Sequence, residues 1–431
     1  MSKQKKGLEP ALRFPEFQGQ TSWMRFKLID VADKNVKWSF IGGPFGSNLK
    51  ASDYLKKGIR IIQLQNIGDG QFNDDYRVFT SKEKADELLA NNIYPGDIII
   101  SKMGDPVGRA CIIPETNNRY VMCSDGIRLV VDEERHSKYF IYSIINYSQF
   151  RKIIEISATG STRKRIGLAE LKKLPMFLPV KKEQQKIADC LRSIDELIIA
   201  NTNKCESFKL HKQGLMQKLF PTEGRDVPEL RFDGFEGEWK EVELRKLGNL
   251  ISGLTYSPDD VRASGLLVLR SSNVQNGKIV YEDNVFVEPN IKGANISEPD
   301  DILICVRNGS KALIGKNALI PQNVPLSTHG AFMTIFRSKY AQFIFQLFQT
   351  DAYQKQVDAD LGATINSING KQLLKYKFKI PRSNDEKEMI VKCLSSLDDL
   401  INAQTDKIEV LKEYKKGLMQ QLFPDIKESI A

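Results

Sequence analysis

Gly214-Leu215-Met216-Gln217-Lys218-Leu219-Phe220-Pro221 returns near the end of the chain as Gly417-Leu418-Met419-Gln420-Gln421-Leu422-Phe423-Pro424. Other segments return in the same order. Leu12-Arg13-Phe14-Pro15-Glu16-Phe17 matches Leu230-Arg231-Phe232-Asp233-Gly234-Phe235, and a tryptophan follows each, Trp23 and Trp239. Pro95 to Ile100 matches Pro299 to Ile304, Gly108 to Pro114 matches Gly315 to Pro321, and Ser124-Asp125-Gly126 is set against Thr328-His329-Gly330. A shared order across both halves means duplication of a module of roughly two hundred residues, large enough for a core of its own. Two large copies exclude a solenoid, which stacks many short ones.

Each module has two parts. The first reads as mixed α/β. Short β-branched runs bounded by Gly, Pro, Asn or Asp predict strands at Ile59–Leu64, Asp97–Ser101, Arg109–Ile113 and Ile127–Val131, with Leu266–Arg270 and Ile302–Val306 in the second copy. Helices are expected at Ser81–Ala90 and Lys138–Ile156. The second part is one long helix. Ile187, Leu191, Ile194, Ile198, Asn201, Cys205, Phe208, Lys212, Leu215 and Leu219 alternate spacings of four and three, a heptad seam. Ile390, Leu394, Leu397, Ile401, Gln404, Ile408, Leu411, Lys415, Leu418 and Leu422 repeat it, polar breaks included. Such helices either pack antiparallel on each other, with Asn201 near Gln404, or pack on their own domains. Glu183–Leu219 would make a rod of roughly 55 Å. The expected division is 1–181, an α/β domain; 182–221, a helix; 222–383, the second domain; and 384–431, the second helix. The fold class is mixed α/β (α+β): two tandem, pseudo-twofold-related domains separated by two long antiparallel coiled-coil helices.

The chain has 431 residues, 41% apolar and 27% charged, and a net charge of +9. A basic balance fits a polyanionic partner, nucleic acid before others, or simply a basic soluble protein. No apolar run reaches the length of a membrane helix, and the lysine-rich start lacks the apolar segment of a secretory signal. The six cysteines form no C-x-x-C and do not cluster with the three histidines, which argues against zinc and disulfides. The expected location is the cytoplasm.

The duplicated units, each followed by a helix ending in Lys-x-Gly-Leu-Met-Gln-x-Leu-Phe-Pro, with Leu-Arg-Phe-x-x-Phe openers and Gly43-Pro44-Phe45-Gly46-Ser47, resemble the specificity (S) subunits of type I restriction–modification systems. The resemblance spans nearly the whole chain. It implies two target-recognition domains, each reading half of a split, asymmetric site in double-stranded DNA. It implies helices that act as a ruler and dock two methyltransferase subunits, which methylate adenine N6, and a motor and nuclease subunit that completes the restriction complex. S-adenosylmethionine, Mg2+ and ATP would belong to those partners, and this chain would carry no cofactor and no catalysis.

Within that frame, base edges and phosphates call for flexible backbone, amides and Arg/Lys forks. In the first unit Gly43, Phe45, Gly46, Ser47 and Asn48 form a glycine-rich loop, which either approaches DNA or is a tight turn. Gln63, Gln65 and Asn66 end a strand; their counterparts Arg270, Ser271, Ser272 and Asn273 differ in the way two heads with different targets would. Thr159, Gly160, Ser161, Arg163, Lys164 and Arg165 run from small to basic and suit phosphates, or form a solvated surface. Thr364 and Asn366 match them without the basic cluster. Lys102 and Ser124–Gly126, and Thr255, Tyr256, Arg307, Asn308 and His329, complete the candidates; His329 equally suits a turn.

No catalytic constellation stands out. Gly309–Asn317 is one residue too long for a phosphate-binding P-loop and lacks its Ser/Thr. The Asn/Asp-Pro-Pro-Tyr/Phe motif of adenine methyltransferases is missing. Asp97 and Asp301 read as repeated strand starts rather than nuclease carboxylates. Two other classes remain open at this stage: an enzyme with its own site, and a coiled-coil scaffold whose heads bind protein.

Overall fold

The computed structural model describes residues 8–161, 163–361 and 366–426. The chain forms two compact units that do not follow chain order. One takes residues up to Asn201 together with those from Lys407 onward; the other is Thr202–Asp406. The boundaries expected at 181, 221 and 383 mark changes of secondary structure, whereas compact packing divides inside both long helices.

The α/β domain of the first unit runs β1 (Met24–Lys27), β2 (Phe40–Gly42), β3 (Ile59–Ile62), β4 (Val78–Thr80), α1 (Lys82–Glu87), β5 (Asn92–Ile93), β6 (Ile98–Ser101), β7 (Ala110–Ile112), β8 (Tyr120–Met122), β9 (Gly126–Leu129), α2 (Lys138–Asn146), α3 (Ser148–Ser157), α4 (Leu168–Lys173) and β10 (Pro175–Leu178), then α5 (Lys181–Leu219). Strands β2-β9-β6-β7 make one antiparallel sheet, β4-β3-β8-β5 a second in which β3 and β8 run parallel, and β1 pairs with β10. β6 is buried throughout. Its side chains alternate: Ile98 and Ile100 enter the core beneath α2, α3 and α4, and Ile99 the core between the sheets with Ile62, Tyr120 and Met122. With both faces covered, the run is continuously apolar rather than alternating.

The second domain repeats this with β11 (Lys240–Glu243), β12 (Asn249–Ser252), β13 (Val261–Arg262), β14 (Leu266–Leu269), β15 (Val274–Gln275), β16 (Lys278–Ile279), β17 (Val285–Val287), β18 (Ile302–Cys305), β19 (Asn317–Leu319), β20 (Ser327–His329), β21 (Met333–Arg337), α6 (Ala341–Leu347), α7 (Asp351–Asp360), α8 (Gly370–Leu373) and β22 (Lys377–Ile380), then α9 (Asn384–Leu422). The sheets are β12-β21-β18-β19 and β13-β17-β14-β20, with β14 and β20 parallel. On β18, Ile302 and Ile304 face one core, Leu303 and Cys305 the other. The matched Gly108 and Gly315 both have positive φ, +79° and +83°, and both lie against an apolar helix side chain, Ile154 or Val357. The helix expected over Lys138–Ile156 is two helices. Tyr147 between them is extended, and the Asn146 side chain bonds the Ala110 backbone in both directions, accepting at 3.2 Å and donating at 3.1 Å.

Both long helices are unbroken over 39 residues. No seam position is exposed. Their first turns serve the domain cores: Ile187 and Leu191 in the first unit, Ile390 and Leu394 in the second. Further along, the two helices meet. In the second unit Cys205 faces Ile401 and Thr405, while Lys212 Nζ lies 2.7 Å from both Asp398 oxygens. In the first, Lys415 holds Asp195 in the same way. In the second unit rising position on α5 meets falling position on α9, from Thr405 and Ile401 at Cys205 to Asp398 at Lys212, so the pairing there is antiparallel. The seam lysines are thus ion-paired register pins rather than defects. Lys212→Asp should cost roughly 1–3 kcal/mol, the range for a partly buried charged hydrogen bond; adding Asp398→Lys should restore most of it. Thermal unfolding of the four chains checks this, and no recovery in the double variant would remove the pinning role. Among the described residues, no helix is long and apolar enough to cross a membrane.

The duplicated motifs meet. In the first unit Leu12 N donates to Gln421 O at 2.9 Å, and Phe423 packs against Trp23, Phe140 and Tyr147 with centroids 6.4, 5.6 and 5.1 Å away. In the second, Leu230 N donates to Lys218 O at 2.9 Å, and Phe220 packs against Trp239 and Phe343. The opener arginines reach buried glutamates at the starts of the long helices. Arg13 forks onto Glu183 at 2.8 and 2.7 Å, Arg231 onto Glu386 at 2.8 and 3.0 Å.

Candidate nucleic-acid interface

Because β3 and β8 run parallel, the chain leaves both at the same edge, and Cys123 N donates to Ile62 O at 2.9 Å just beyond them. Three further segments join there. Gly43, leaving β2, donates from its N–H to Gly126 O at 2.7 Å. A Cβ on Gly43 would stand 1.7 Å from Cys123 O, so only glycine allows this approach. Lys102, leaving β6, donates from its N–H to Asp125 O at 2.7 Å, and its carbonyl accepts from Ile166 N at 2.9 Å. Thr159 and Arg165 exchange backbone bonds at 2.9 and 2.8 Å around Gly160, whose φ is +102°. Arg165 Nη2 then reaches Asp125 Oδ1 at 3.1 Å. Residues scattered from 43 to 165 thus form one cluster of loop ends.

The side chains of that cluster divide into open and engaged ones. Phe45 is 82% exposed, and Gly46, Ser47, Asn48, Gln65, Thr159, Gly160, Ser161, Arg163 and Arg165 are exposed too. Lys102 is half-buried. Gln63 is half-buried and donates to the Tyr54 hydroxyl at 2.9 Å, and Lys164 is ion-paired with Glu155. Asn66 differs from its expectation. It is fully buried; its Oδ1 accepts from Gln63 N at 2.9 Å and its Nδ2 donates to Asn73 O and Tyr76 O. Its amide closes a turn inside the fold and offers no edge to a base. Asn273 does the same, accepting from Arg270 N and donating to Val280 O, both at 2.9 Å.

The second domain builds the same cluster. Gly253 lies against Gly330 O, Leu254 N donates to His329 O at 2.7 Å, and Gly330 N to Leu269 O at 3.0 Å. Val306 N donates to Phe332 O at 3.0 Å, and Ile368 N to Val306 O at 2.8 Å. These bonds correct one match: Gly330 corresponds to Cys123 and Phe332 to Asp125, so His329 stands where Met122 does, three positions from the alignment read in the sequence. His329 is therefore a strand residue. It is fully buried with Nε2 3.0 Å from Ile251 O, burial pushes its pKa down, and its ring is closed off from the surface. Thr255, Ser272, Arg307 and Asn366 are exposed, and Tyr256 is half-buried. Asn308 Nδ2 donates to Ser271 Oγ at 3.0 Å. Arg270 is held by Asp283, 2.7 Å from its carboxylate. Thr364 lies outside the described residues. Phe332, 57% exposed beside Arg307, has no place among the expected site residues.

The strand-start aspartates are structural. Asp97 accepts from Arg128 Nε at 2.7 Å and from Tyr94 N at 2.9 Å; burial raises its pKa while Arg128 opposes the rise. Asp301 is forked by Arg337 at 2.8 and 2.7 Å. Neither carboxylate is open to a substrate.

Two stretches, residues 22–207 and 236–413, match the model of the type I restriction modification DNA specificity domain. Together they take in most of the chain, one stretch per repeat. The chain belongs to the type I restriction–modification specificity subunits. It is 26% identical over 302 residues to the type I restriction enzyme MjaVIII specificity subunit of Methanocaldococcus jannaschii, covering 66% of this chain and 68% of that one. It is 27% identical over 194 residues to the EcoKI specificity subunit of Escherichia coli, covering 42% of this chain and 41% of that one. The crystal structure of the type I S subunit from M. genitalium shares the fold, with a TM-score of 0.60 at 18% identity over 97% of this chain and all of that one. As a specificity subunit, the chain supplies DNA sequence selection.

Proposed function

We propose that each loop cluster reads one half of a bipartite, asymmetric site in double-stranded DNA, that the paired helices set the gap and dock two methyltransferase subunits, and that a motor and nuclease subunit completes the restriction complex. Adenine-N6 transfer from S-adenosylmethionine, and the Mg2+ and ATP chemistry of cleavage, belong to those partners in the cytoplasm; this chain contributes no active site. One observation carries the reading: a backbone frame shared in most of its bonds by both domains presents different side chains at matched positions, Gln63 against Arg270, Asp125 against Phe332. A shared frame with exchanged contacts is what two readers of different sequences require. The test is a map of N6-methyladenine made by the complex. One split motif is expected, with methylated adenines on opposite strands, and the purified chain alone should neither methylate nor cut DNA supplied with S-adenosylmethionine and Mg2+. Activity without partners would replace this reading with that of an enzyme, and indifference to sequence in the full complex with that of a scaffold.

Arg163 is exposed on the turn between Thr159 and Arg165. As a phosphate contact, Arg163→Ala should weaken binding by several-fold alike for all sequences and reduce the slope of log affinity against log salt by about one. A change of motif instead would make it a base reader.

A further inference from the structure

We propose that Arg307, supported by the ring of Phe332, reads a guanine in the second half-site; this rests on the reading of the loop clusters as DNA contacts. The frame identifies the position. Met103 bridges Arg165 in the first domain and Arg307 bridges Ser367 in the second, on either side of the matched bonds from Ile166 N to Lys102 O and from Ile368 N to Val306 O. Met103 therefore corresponds to Arg307, Arg165 to Ser367, and Asp125 to Phe332. Each domain has one arginine on this strand pair, lying against the same loop position, but supplied from opposite strands. In the first domain the partner is a carboxylate 3.1 Å away; in the second it is a ring, with Arg307 Cζ 5.8 Å from its centroid.

That exchange changes what the arginine can do. A carboxylate takes up donors of the guanidinium. A ring face supports the plane and leaves the in-plane N–H groups open. Arg307 is exposed, and among the described residues its guanidinium has no hydrogen-bonded partner. Arg270, the other arginine of this cluster, has its Nη2 taken by the Asp283 carboxylate at 2.7 Å and the Asp283 carbonyl at 3.1 Å. An open, planar fork held at a chosen angle suits the O6 and N7 acceptors of guanine in the major groove. Phe332, 57% exposed, sets the angle and adds an apolar surface to the same contact.

The experiment compares methylation motifs made by the full complex carrying the natural chain, Arg307→Ala, Arg307→Lys or Phe332→Ala. The natural chain should yield one split motif; its absence would count against the DNA-reading assignment as a whole. Given that motif, Arg307→Ala should make one G·C position of the second half-site degenerate, with preference there falling on the order of 10- to 100-fold. The first half-site, unchanged, reports that the chain is folded and assembled. Lysine should not restore the preference, because a point charge does not replace a fork. Phe332→Ala should lose part of it at the same position. A second half-site without any G·C pair, an even fall across all sequences, a change in the first half-site, loss of both half-sites or an unaltered motif would each overturn the proposal.

Discussion

Arg13→Ala is expected to lower the stability of the first unit by about 3–5 kcal/mol, the loss seen when one partner of a buried ion pair is removed. The side chains of Arg13 and Glu183 are 8% and 1% exposed. Arg13 also donates to the carbonyls of Gln20 and Thr21 at 3.1 and 3.2 Å. Alanine would leave the Glu183 carboxylate in the fold without its counter-charge, at the first turn of α5 where the helix joins the domain. Replacing both members by methionine should cost much less, because no unpaired charge remains. Chemical denaturation with separate probes for the two units measures the difference. Arg231→Ala should act in the same way on the second unit, where Glu386 also accepts from Trp239 Nε1 at 3.2 Å. Equal losses for the single Arg13 variant and the double methionine variant would mean that packing, not the stranded charge, carries the effect.

The opener motif shows what a single sequence makes legible. Leu-Arg-Phe and Leu-Phe-Pro are visible as repeats because each carries a side chain fixed by its packing: Arg13 on Glu183, Phe423 among Trp23, Phe140 and Tyr147. That the second copy of Leu-Phe-Pro closes onto the first opener was not legible. The heptad seam marks the face of each helix that is to be covered, but it does not state what covers it or which end of the chain meets which domain. The strands were found where both faces are covered, as at Ile98–Ile100. The break at Tyr147 was missed because the bonds from Asn146 to Ala110 join positions far apart in sequence.

The candidate site was legible as a set of loops that come together, and less so as individual side chains. Glycines, amides and basic residues did gather at the strand ends. Amide chemistry alone does not separate Gln65, which is exposed, from Asn66, whose amide is consumed by Asn73 and Tyr76. The match of Ser124–Gly126 to Thr328–Gly330 followed a shared glycine. The actual register follows backbone bonds, and these place Phe332 opposite Asp125. A position at which a carboxylate is replaced by a ring leaves no similarity for a sequence comparison to follow.

The largest functional effect is expected from Gly43→Ala. Its Cβ would stand 1.7 Å from Cys123 O and 2.7 Å from Cys123 C, both backbone atoms, so no side-chain rotation relieves the overlap. Either the loop leaving β2 or the β8–β9 turn must move, and the 2.7 Å bond from Gly43 N to Gly126 O would be strained with them. Overpacking of this kind costs about 1–3 kcal/mol. Displacement of the loop that carries Phe45–Asn48 and of the turn that carries Asp125 should remove several contacts at once. Discrimination in the first half-site should therefore fall by on the order of 100-fold or more, since each good base contact is worth about 1–3 kcal/mol. The second half-site should keep its sequence. Gly42→Ala is the control: it is the neighbouring residue, and a Cβ there meets nothing within 4 Å. Gly253→Ala, with a Cβ 2.1 Å from Gly330 O, should produce the mirror outcome, degeneracy in the second half-site with the first intact. If Gly43→Ala left both half-sites unchanged in the methylation map, the cluster at the ends of β3 and β8 would not be where the first domain reads DNA.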